Sequence, residues 1–92
     1  MTYRISYTGA ARKDVRRLPG NYRQRIRRLI EALPREPRPQ NAKELRDMPN
    51  RYRIRVERWR VIYRVDDDDM QIIILRVRQK TGPETYRDID AA

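Results

Sequence analysis

Arginine alternates with apolar or aromatic residues from Arg51 to Val65, in the order Arg-Tyr-Arg-Ile-Arg-Val-Glu-Arg-Trp-Arg-Val-Ile-Tyr-Arg-Val. An alternation of period two predicts β-strands, and a two-residue turn at Glu57 and Arg58 folds this segment into a hairpin whose facing residues can be counted. The predicted core face contains three facing pairs: Val56 with Trp59, Ile54 with Val61, and Tyr52 with Tyr63. The opposite face contains three more: Arg55 with Arg60, Arg53 with Ile62, and Arg51 with Arg64.

Arginines that face one another across a sheet destabilise it. We therefore expect the arginine face to bind an anion from outside the protein, and a polyanion is the natural candidate. Guanidinium groups stay charged at any relevant pH and can bind two phosphate oxygens at once, so Arg53, Arg55 and Arg60 form a candidate phosphate clamp. The alternative is a solvated face that the glutamates of a partner balance. The turn lacks the usual glycine, and a bulge there would move Arg60 relative to Arg55.

The segments before the hairpin predict a strand and two helices. Residues 3–7 alternate as a short strand does. Thr8 can cap a helix whose apolar positions share one face: Ala11, Val15 and Leu18. Pro19-Gly20-Asn21 ends this helix, and a second helical pattern runs from Tyr22 to Leu33, where Pro34 stops it. Two helices joined by Pro-Gly predict an antiparallel helix hairpin.

The remaining segments complete the predicted fold. Residues 34–39 hold three prolines and predict a connector, and residues 42–47 predict one helical turn. A third strand begins near Met70 and continues through Ile72-Ile73-Ile74-Leu75, and a short helix at 84–87 can follow. The predicted fold class is α+β in one domain, residues 1–92: an N-terminal strand, the helix hairpin, then a three-stranded antiparallel meander. The helices pack on one face of a mainly antiparallel sheet.

Composition narrows the function. The 92 residues include 23 Lys and Arg against 13 Asp and Glu, a formal charge of +10, which favours nucleic acid, ribosome or acidic-protein partners. There is no cysteine and no histidine, so we expect no disulfide, no metal site, no cofactor and no histidine base. The longest apolar run, residues 72–75, is far short of the roughly 20 residues of a membrane span, and the amino terminus lacks the apolar segment of a secretory signal. We expect a soluble, cytoplasmic protein.

Several residues after the hairpin carry candidate chemistry. Arg76, Arg78 and Lys80 continue the positive charge along the last strand. If the loop at 66–69 sets the simplest register of the last strand, the arginine face receives Gln71, Ile73 and Leu75, and Arg76 lies on the other face. A one-residue bulge would reverse these positions. Tyr86 follows in a polar tail, where nearby cations would favour its phenolate. The alternative is a tyrosine that packs the tail onto the sheet.

Two further groups of residues favour structural roles. The hairpin also contains three aromatic residues that can stack on nucleic-acid bases, Trp59, Tyr52 and Tyr63. Because their predicted face is the core face, we favour packing in the protein core over base stacking. The four aspartates at 66–69 lack the glutamate and glycine of a calcium loop and predict a solvated turn.

Three motifs resemble the RelE/ParE superfamily of bacterial toxin-antitoxin toxins: Ala42-Lys43-Glu44-Leu45, Tyr52-Arg53-Ile54-Arg55-Val56, and Trp59-Arg60-Val61-Ile62-Tyr63, followed by an apolar strand, Lys80 and a tail tyrosine. The resemblance covers most of the chain. In the RelE branch it implies a ribosome-dependent endoribonuclease that enters the ribosomal A site. Such an enzyme cleaves the bound mRNA by attack of a ribose 2'-OH on the adjacent phosphate and so inhibits translation. It also implies a cognate RelB-like antitoxin whose acidic segment lies across the basic face or the helices.

The resemblance also assigns expected roles. Tyr86 is the general base; Arg53, Arg55 and Arg60 orient the message and stabilise charge on the phosphorane, with Arg60 or Lys80 assisting the leaving oxygen. Further RNA contacts are expected from Arg51, Arg64, Arg76 and Arg78. Some members have lysine in place of Arg53 and Arg55, and arginine in place of Lys80. Because arginine donates and accepts protons less readily than lysine, a proton-transfer role for the hairpin arginines of this chain is less plausible. Two alternatives stay open: a ParE-like DNA gyrase inhibitor that cuts nothing, and a non-catalytic RNA- or ribosome-binding module.

Overall fold

The computed structural model describes residues 2–87 and 89. Across these residues, one mixed sheet has the strand order β1-β5-β4-β3-β2. The strands are β1 (Arg4–Tyr7), β2 (Ala42–Glu44), β3 (Arg51–Val56), β4 (Trp59–Asp66) and β5 (Gln71–Gln79). Helix α1 spans Gly9–Arg17 and helix α2 spans Gly20–Ala32, while a short 3-10 helix at Pro83–Tyr86, here called the tail helix, follows the sheet. The α+β prediction is confirmed, and β1 makes the sheet mixed because it runs parallel to β5.

The arginine hairpin has the predicted register. Its facing residues are the six pairs counted from the sequence, from Val56 opposite Trp59 to Arg51 opposite Arg64. In the turn, Glu57 adopts the left-handed conformation that glycine usually provides, with a φ of 54°. Its carboxylate accepts hydrogen bonds from two residues of α2, the Tyr22 hydroxyl at 2.9 Å and the Arg25 guanidinium. These side-chain bonds offset part of the cost of a left-handed residue that is not glycine. The turn has no bulge, so Arg60 stays opposite Arg55.

The two helices cover one face of the sheet. The Thr8 hydroxyl accepts a hydrogen bond from the Ala11 amide at 3.0 Å, the predicted cap of α1, and also donates to the Leu75 carbonyl of β5 at 2.8 Å. Arg23 of α2 donates to carbonyl groups at the end of α1, including that of Leu18 at 2.9 Å. Six predicted apolar positions of the helices are buried against the sheet: Ala11, Val15, Leu18, Ile26, Ile30 and Leu33. The other two positions of the apolar pattern in α2, Tyr22 and Leu29, are partly buried against the same core. Neither α1 nor α2 is long and apolar enough to cross a bilayer.

The helical turn predicted for residues 42–47 is wrong, because Ala42–Glu44 forms the edge strand β2 and residues 45–47 contain no helix. It pairs antiparallel with β3, with Ala42 opposite Ile54 and Glu44 opposite Tyr52. Ala-Lys-Glu has helical propensity, but the backbone groups that β3 offers at its free edge override so weak a preference.

A bulge interrupts the pairing of β4 with β5. Tyr63 faces Ile74, whereas the preceding residue of β4, Ile62, faces Arg76, so Leu75 is the extra residue. The simplest register of β4 with β5, predicted from the loop at 66–69, therefore holds from Gln71 to Ile74. Beyond Leu75 the pairing shifts by one residue, which places Arg78 opposite Arg60. Asp14 of α1 fixes the shift, since its carboxylate accepts from the Val77 amide at 2.9 Å.

A second, smaller apolar cluster covers part of the other face of the sheet. Ile62, Leu75 and Ile89 are buried there, and Leu45, Met48, Ile73 and Tyr86 pack against them. The arginine face, which the predicted fold left uncovered, is therefore covered at its centre. The tail helix lies against the cluster through Tyr86.

Candidate active site

Three arginines form a row across the sheet on the face opposite the helices. Arg55 of β3 faces Arg60 of β4, which in turn faces Arg78 of β5. Their exposure differs along the row: Arg55 is exposed, Arg78 is partly buried, and Arg60 is only 7% exposed. The sequence predicted the first pair, but the bulge that brings Arg78 into the row could not be chosen from sequence.

Arg60 is held by the hairpin itself. Its Nη1 donates to the carbonyl oxygens of Glu57 and Trp59, both at 2.8 Å. Its Nε is buried and has no hydrogen-bond partner among the described residues. Arg60 is therefore fixed beside the turn, and the expectation that it converges with Arg53 and Arg55 on a fully open surface is not met.

Arg53 connects the arginine row to the tail. Burial lowers the pKa of Arg53, and the neighbouring charges of Arg55 and Arg60 lower it further, whereas Tyr86 raises it. Arg53 lies directly opposite Ile62 in the hairpin, and Tyr86 packs against the apolar cluster that contains Ile62. Arg53, Arg55, Arg60 and Tyr86 therefore share one electrostatic neighbourhood, which is the candidate active site.

Tyr86 reaches this neighbourhood because the tail helix is anchored. Arg78 donates to the carbonyl groups of Thr85 and Arg87, both at 2.9 Å, and the Thr85 hydroxyl accepts from the Thr81 amide at 2.9 Å. The ring of Tyr86 is half-buried against the cluster around Ile62. The two interpretations of this tyrosine are thus compatible, since it packs the tail onto the sheet and lies near the arginines.

Three other predicted site residues lie at the margins. The Lys80 amide donates to the Arg58 carbonyl at 2.8 Å, so this exposed lysine sits at the turn end of the hairpin. Arg51 and Arg64 face each other at the opposite end of the hairpin. Arg51 Nη1 donates to the Pro49 carbonyl at 2.8 Å, and Arg64 lies 3.8 Å from the Asp66 carboxylate.

Arg76 does not belong to the arginine face. Its guanidinium bonds the Asp14 carboxylate of α1 through Nε at 2.7 Å and Nη2 at 3.0 Å, and this contact raises the pKa of Arg76. The simplest register placed Arg76 away from the arginine face, and a bulge was expected to reverse this. The bulge is present and pairs Arg76 with Ile62, but the Arg76 side chain still bonds α1. The expected RNA contact at Arg76 therefore has no structural support.

The aromatic residues of the hairpin pack in the core, as the alternation predicted. Tyr52 and Tyr63 stack with ring centroids 5.7 Å apart, and Trp59 lies 6.0 Å from the ring of Tyr22. The aspartates at 66–69 lead from β4 into β5, where Asp67 accepts from the Tyr3 hydroxyl at 2.6 Å and from Arg38 at 2.8 Å.

Sequence reasoning missed the apolar patch on which Tyr86 rests. Ile62 was visible as the one residue that breaks the arginine alternation opposite Arg53, and the start of β5 is apolar on both faces. Together these two signals could have predicted that a tail segment covers the centre of the sheet.

The sequence and the fold of this chain are similar to those of known proteins. A family model described as the ParE toxin of the type II toxin-antitoxin system parDE matches residues 5–81. The toxin RelE1 of Methanocaldococcus jannaschii is 31% identical over 85 residues, which is 89% of this chain and 94% of the relative.

Solved structures agree. A chain of the archaeal RelE-RelB complex from Pyrococcus horikoshii aligns with a TM-score of 0.76 and 30% identity, covering 86% of this chain and 96% of its own length. A chain of the RelBE2 toxin-antitoxin complex of Mycobacterium tuberculosis aligns with a TM-score of 0.74 and 29% identity, covering 87% and 100%. A free mutant of E. coli RelE aligns with a TM-score of 0.83 and 24% identity, covering 99% of this chain and 97% of its own length, and this match supports the fold alone.

These matches define the class of protein as a small toxin of a toxin-antitoxin system. The chain belongs to the RelE/ParE family, and within it is a type II toxin of the RelE family. The family model carries the ParE name, whereas the relative and the solved structures are RelE proteins; we give weight to the latter because they agree over most of the chain.

Proposed function

We propose that this toxin is a ribosome-dependent endoribonuclease that cleaves mRNA and so inhibits translation. The observation that supports this best is the position of Tyr86, which packs against the cluster around Ile62. Arg53 is the residue opposite Ile62 in the hairpin, and Arg55 faces the buried Arg60 on the same face of the sheet. Positive groups preorganised around a phosphate stabilise the charge that develops in phosphoryl transfer. A tyrosine among them can act on a proton.

In the proposed reaction, Tyr86 takes the proton from a ribose 2'-OH as that oxygen attacks the adjacent phosphorus. The bond to the 5' oxygen of the next nucleotide breaks, which leaves a 2',3'-cyclic phosphate and a 5'-OH end. Arg53 and Arg55 bind the non-bridging oxygens of the phosphorane, and buried Arg60 adds a fixed positive charge beside them.

Lys80 is the better candidate for donating the proton to the leaving 5' oxygen. One terminal nitrogen of Arg60 is committed to two carbonyl groups, and a guanidinium gives up a proton poorly. Lys80 is exposed at the same end of the hairpin, and an ammonium loses its proton more readily.

The test is cleavage of a defined message on purified ribosomes, with and without the purified toxin. The wild type should produce new 5'-OH ends within the A-site codon, and Tyr86→Phe should lower the single-turnover rate by about 100-fold or more. Arg28→Ala, which removes an exposed arginine of α2, is the matched control and should retain wild-type activity. A wild-type protein that cuts no message on the ribosome would overturn the proposal.

A ParE-like inhibitor of DNA gyrase is the second candidate, because the matching family model bears that name. In that case the purified toxin should block gyrase supercoiling and leave messages intact. If the toxin arrests growth and does neither, the remaining interpretation is a non-catalytic ribosome- or RNA-binding module.

We further propose an antitoxin partner with an acidic, amphipathic segment. The M. tuberculosis neighbour is a toxin-antitoxin complex by name, and the P. horikoshii neighbour is a RelE-RelB complex by name. On this chain a groove of about 480 Å³ between the helices combines apolar and mostly basic lining residues: Tyr7, Val15, Arg12, Arg16, Arg27 and Glu31. If a carboxylate-bearing segment binds there, the double variant Arg12→Glu and Arg16→Glu should weaken antitoxin binding at low salt and leave message cleavage intact.

A further inference from the structure

Arg78 joins β5 to the tail helix through main-chain carbonyl groups. Its Nη1 donates to the carbonyl oxygens of Thr85 and Arg87, both at 2.9 Å, with that of Glu84 at a longer 3.5 Å. Carbonyl groups at the end of a helix lack partners within the helix and carry partial negative charge. A guanidinium at this position satisfies them and fixes where the tail helix ends.

The carbonyl groups that Arg78 binds flank Tyr86. One belongs to the residue before the tyrosine and the other to the residue after it. Thr85 is 2% exposed, so the same segment is also fixed by burial. With the backbone held on both sides, the position of the Tyr86 ring over the cluster around Ile62 is determined largely by its own side-chain rotamer.

The same contacts explain how the sheet tolerates Arg78 opposite Arg60. Two facing guanidinium groups repel each other, but each directs a terminal nitrogen to two carbonyl oxygens within 2.9 Å. Charge-assisted hydrogen bonds of this kind are among the stronger ones in proteins. The nitrogen of Arg78 that holds the tail is therefore engaged within the protein and does not bind a phosphate.

We propose that Arg78 is a positioning residue, which holds the tail helix so that Tyr86 stays beside Arg53 and Arg55 during message cleavage. The inference rests on the proposed endoribonuclease function and deepens it. It replaces the expected RNA contact at Arg78 with an action through Tyr86.

The first test needs no activity. Amide hydrogen exchange of the free protein should show faster exchange at Thr85 and Arg87, by roughly 10-fold or more, in Arg78→Ala than in the wild type. Exchange at the core strand β4 should be unchanged, and Arg28→Ala should match the wild type everywhere. Unchanged exchange at Thr85 and Arg87 would overturn the inference, whatever the enzyme does.

The second test is a double-mutant cycle in the ribosome assay. Arg78→Ala should lower kcat by about 10- to 100-fold, since misplacement by an ångström can have that effect, while KM for programmed ribosomes stays within about twofold of wild type. In a Tyr86→Phe background the same substitution should change kcat by less than about twofold, because residues that act through each other are not additive.

The outcomes separate the two proposals. A higher KM in both backgrounds, with a weaker dependence of binding on salt, would identify Arg78 as a phosphate contact and refute the positioning role. If Arg78→Ala loosens the tail but the wild type cleaves nothing, the proposed function fails while the structural grip of Arg78 on the tail stands.

Discussion

Replacing Asp14 tests the contact that sets the register of β5. The Asp14 carboxylate accepts hydrogen bonds from Arg76 at 2.7 and 3.0 Å and from the Val77 amide at 2.9 Å, and its side chain is 9% exposed against 26% for Arg76. Asp14→Ala removes all three bonds. Breaking a buried pair destabilises by roughly 3–5 kcal/mol, but Arg76 can recover some hydration, so we expect about 2–3 kcal/mol.

The assay is urea unfolding of purified variants, with the free energy taken from the midpoint and slope. Asp14→Asn keeps an acceptor for the Val77 amide and should fall between the wild type and Asp14→Ala. Asp68→Ala, which removes an exposed carboxylate from the turn before β5, should stay within about 0.5 kcal/mol of wild type. A loss below about 1 kcal/mol for Asp14→Ala would refute the view that this carboxylate holds the bulge.

Three further substitutions probe other contacts. Hydrogen bonds from Arg38, and then from Tyr3, lower the pKa of Asp67. The stability that the Asp67 carboxylate contributes is therefore present above the unfolded pKa of about 3.9 and is lost as pH falls through the lower folded value. In thermal melts from pH 6 to 2, the melting temperature of Asp67→Asn should fall less than that of the wild type. Tyr63→Phe removes the 2.7 Å bond to the Pro37 carbonyl and should cost about 1–2 kcal/mol in urea unfolding, whereas equal midpoints would mean that this bond contributes nothing. Leu75→Ala opens a cavity at a residue that is 4% exposed and should cost about 2–4 kcal/mol, with faster hydrogen exchange in the tail; a stable variant with a rigid tail would contradict the role of this cluster.

The hairpin was predictable because its information is local. A two-residue turn and a period of two determine every facing pair, and the register of β3 with β4 follows by counting from Glu57 and Arg58. The helix cap at Thr8 and the buried helix positions were predictable for the same reason, since caps and helical spacing depend on neighbours in the chain.

Other features depend on partners that are distant in sequence. The bulge in β5 is fixed by Asp14, 63 residues before Val77, and nothing near Leu75 in the sequence distinguishes it from a regular strand. Strand β2 exists because β3 has a free edge at which Ala42–Glu44 can pair. The candidate site depends on the bulge, which places Arg78 opposite Arg60. From there Arg78 binds the tail helix next to Tyr86.

The facing arginines were the reason to expect an external anion, and the structure changes how that argument applies. Arg60 and Arg78 each bind two carbonyl groups at 2.9 Å or less, so the protein itself offsets much of their mutual repulsion. Arg55 is exposed, and the pKa of Arg53 is lowered by burial and by Arg55. Two residues apart on one strand face, these side chains start roughly 6.6 Å from each other, a separation that one phosphate group can bridge. The demand for an anion therefore rests on Arg53 and Arg55, while Arg60 and Arg78 shape the site in which that anion meets Tyr86.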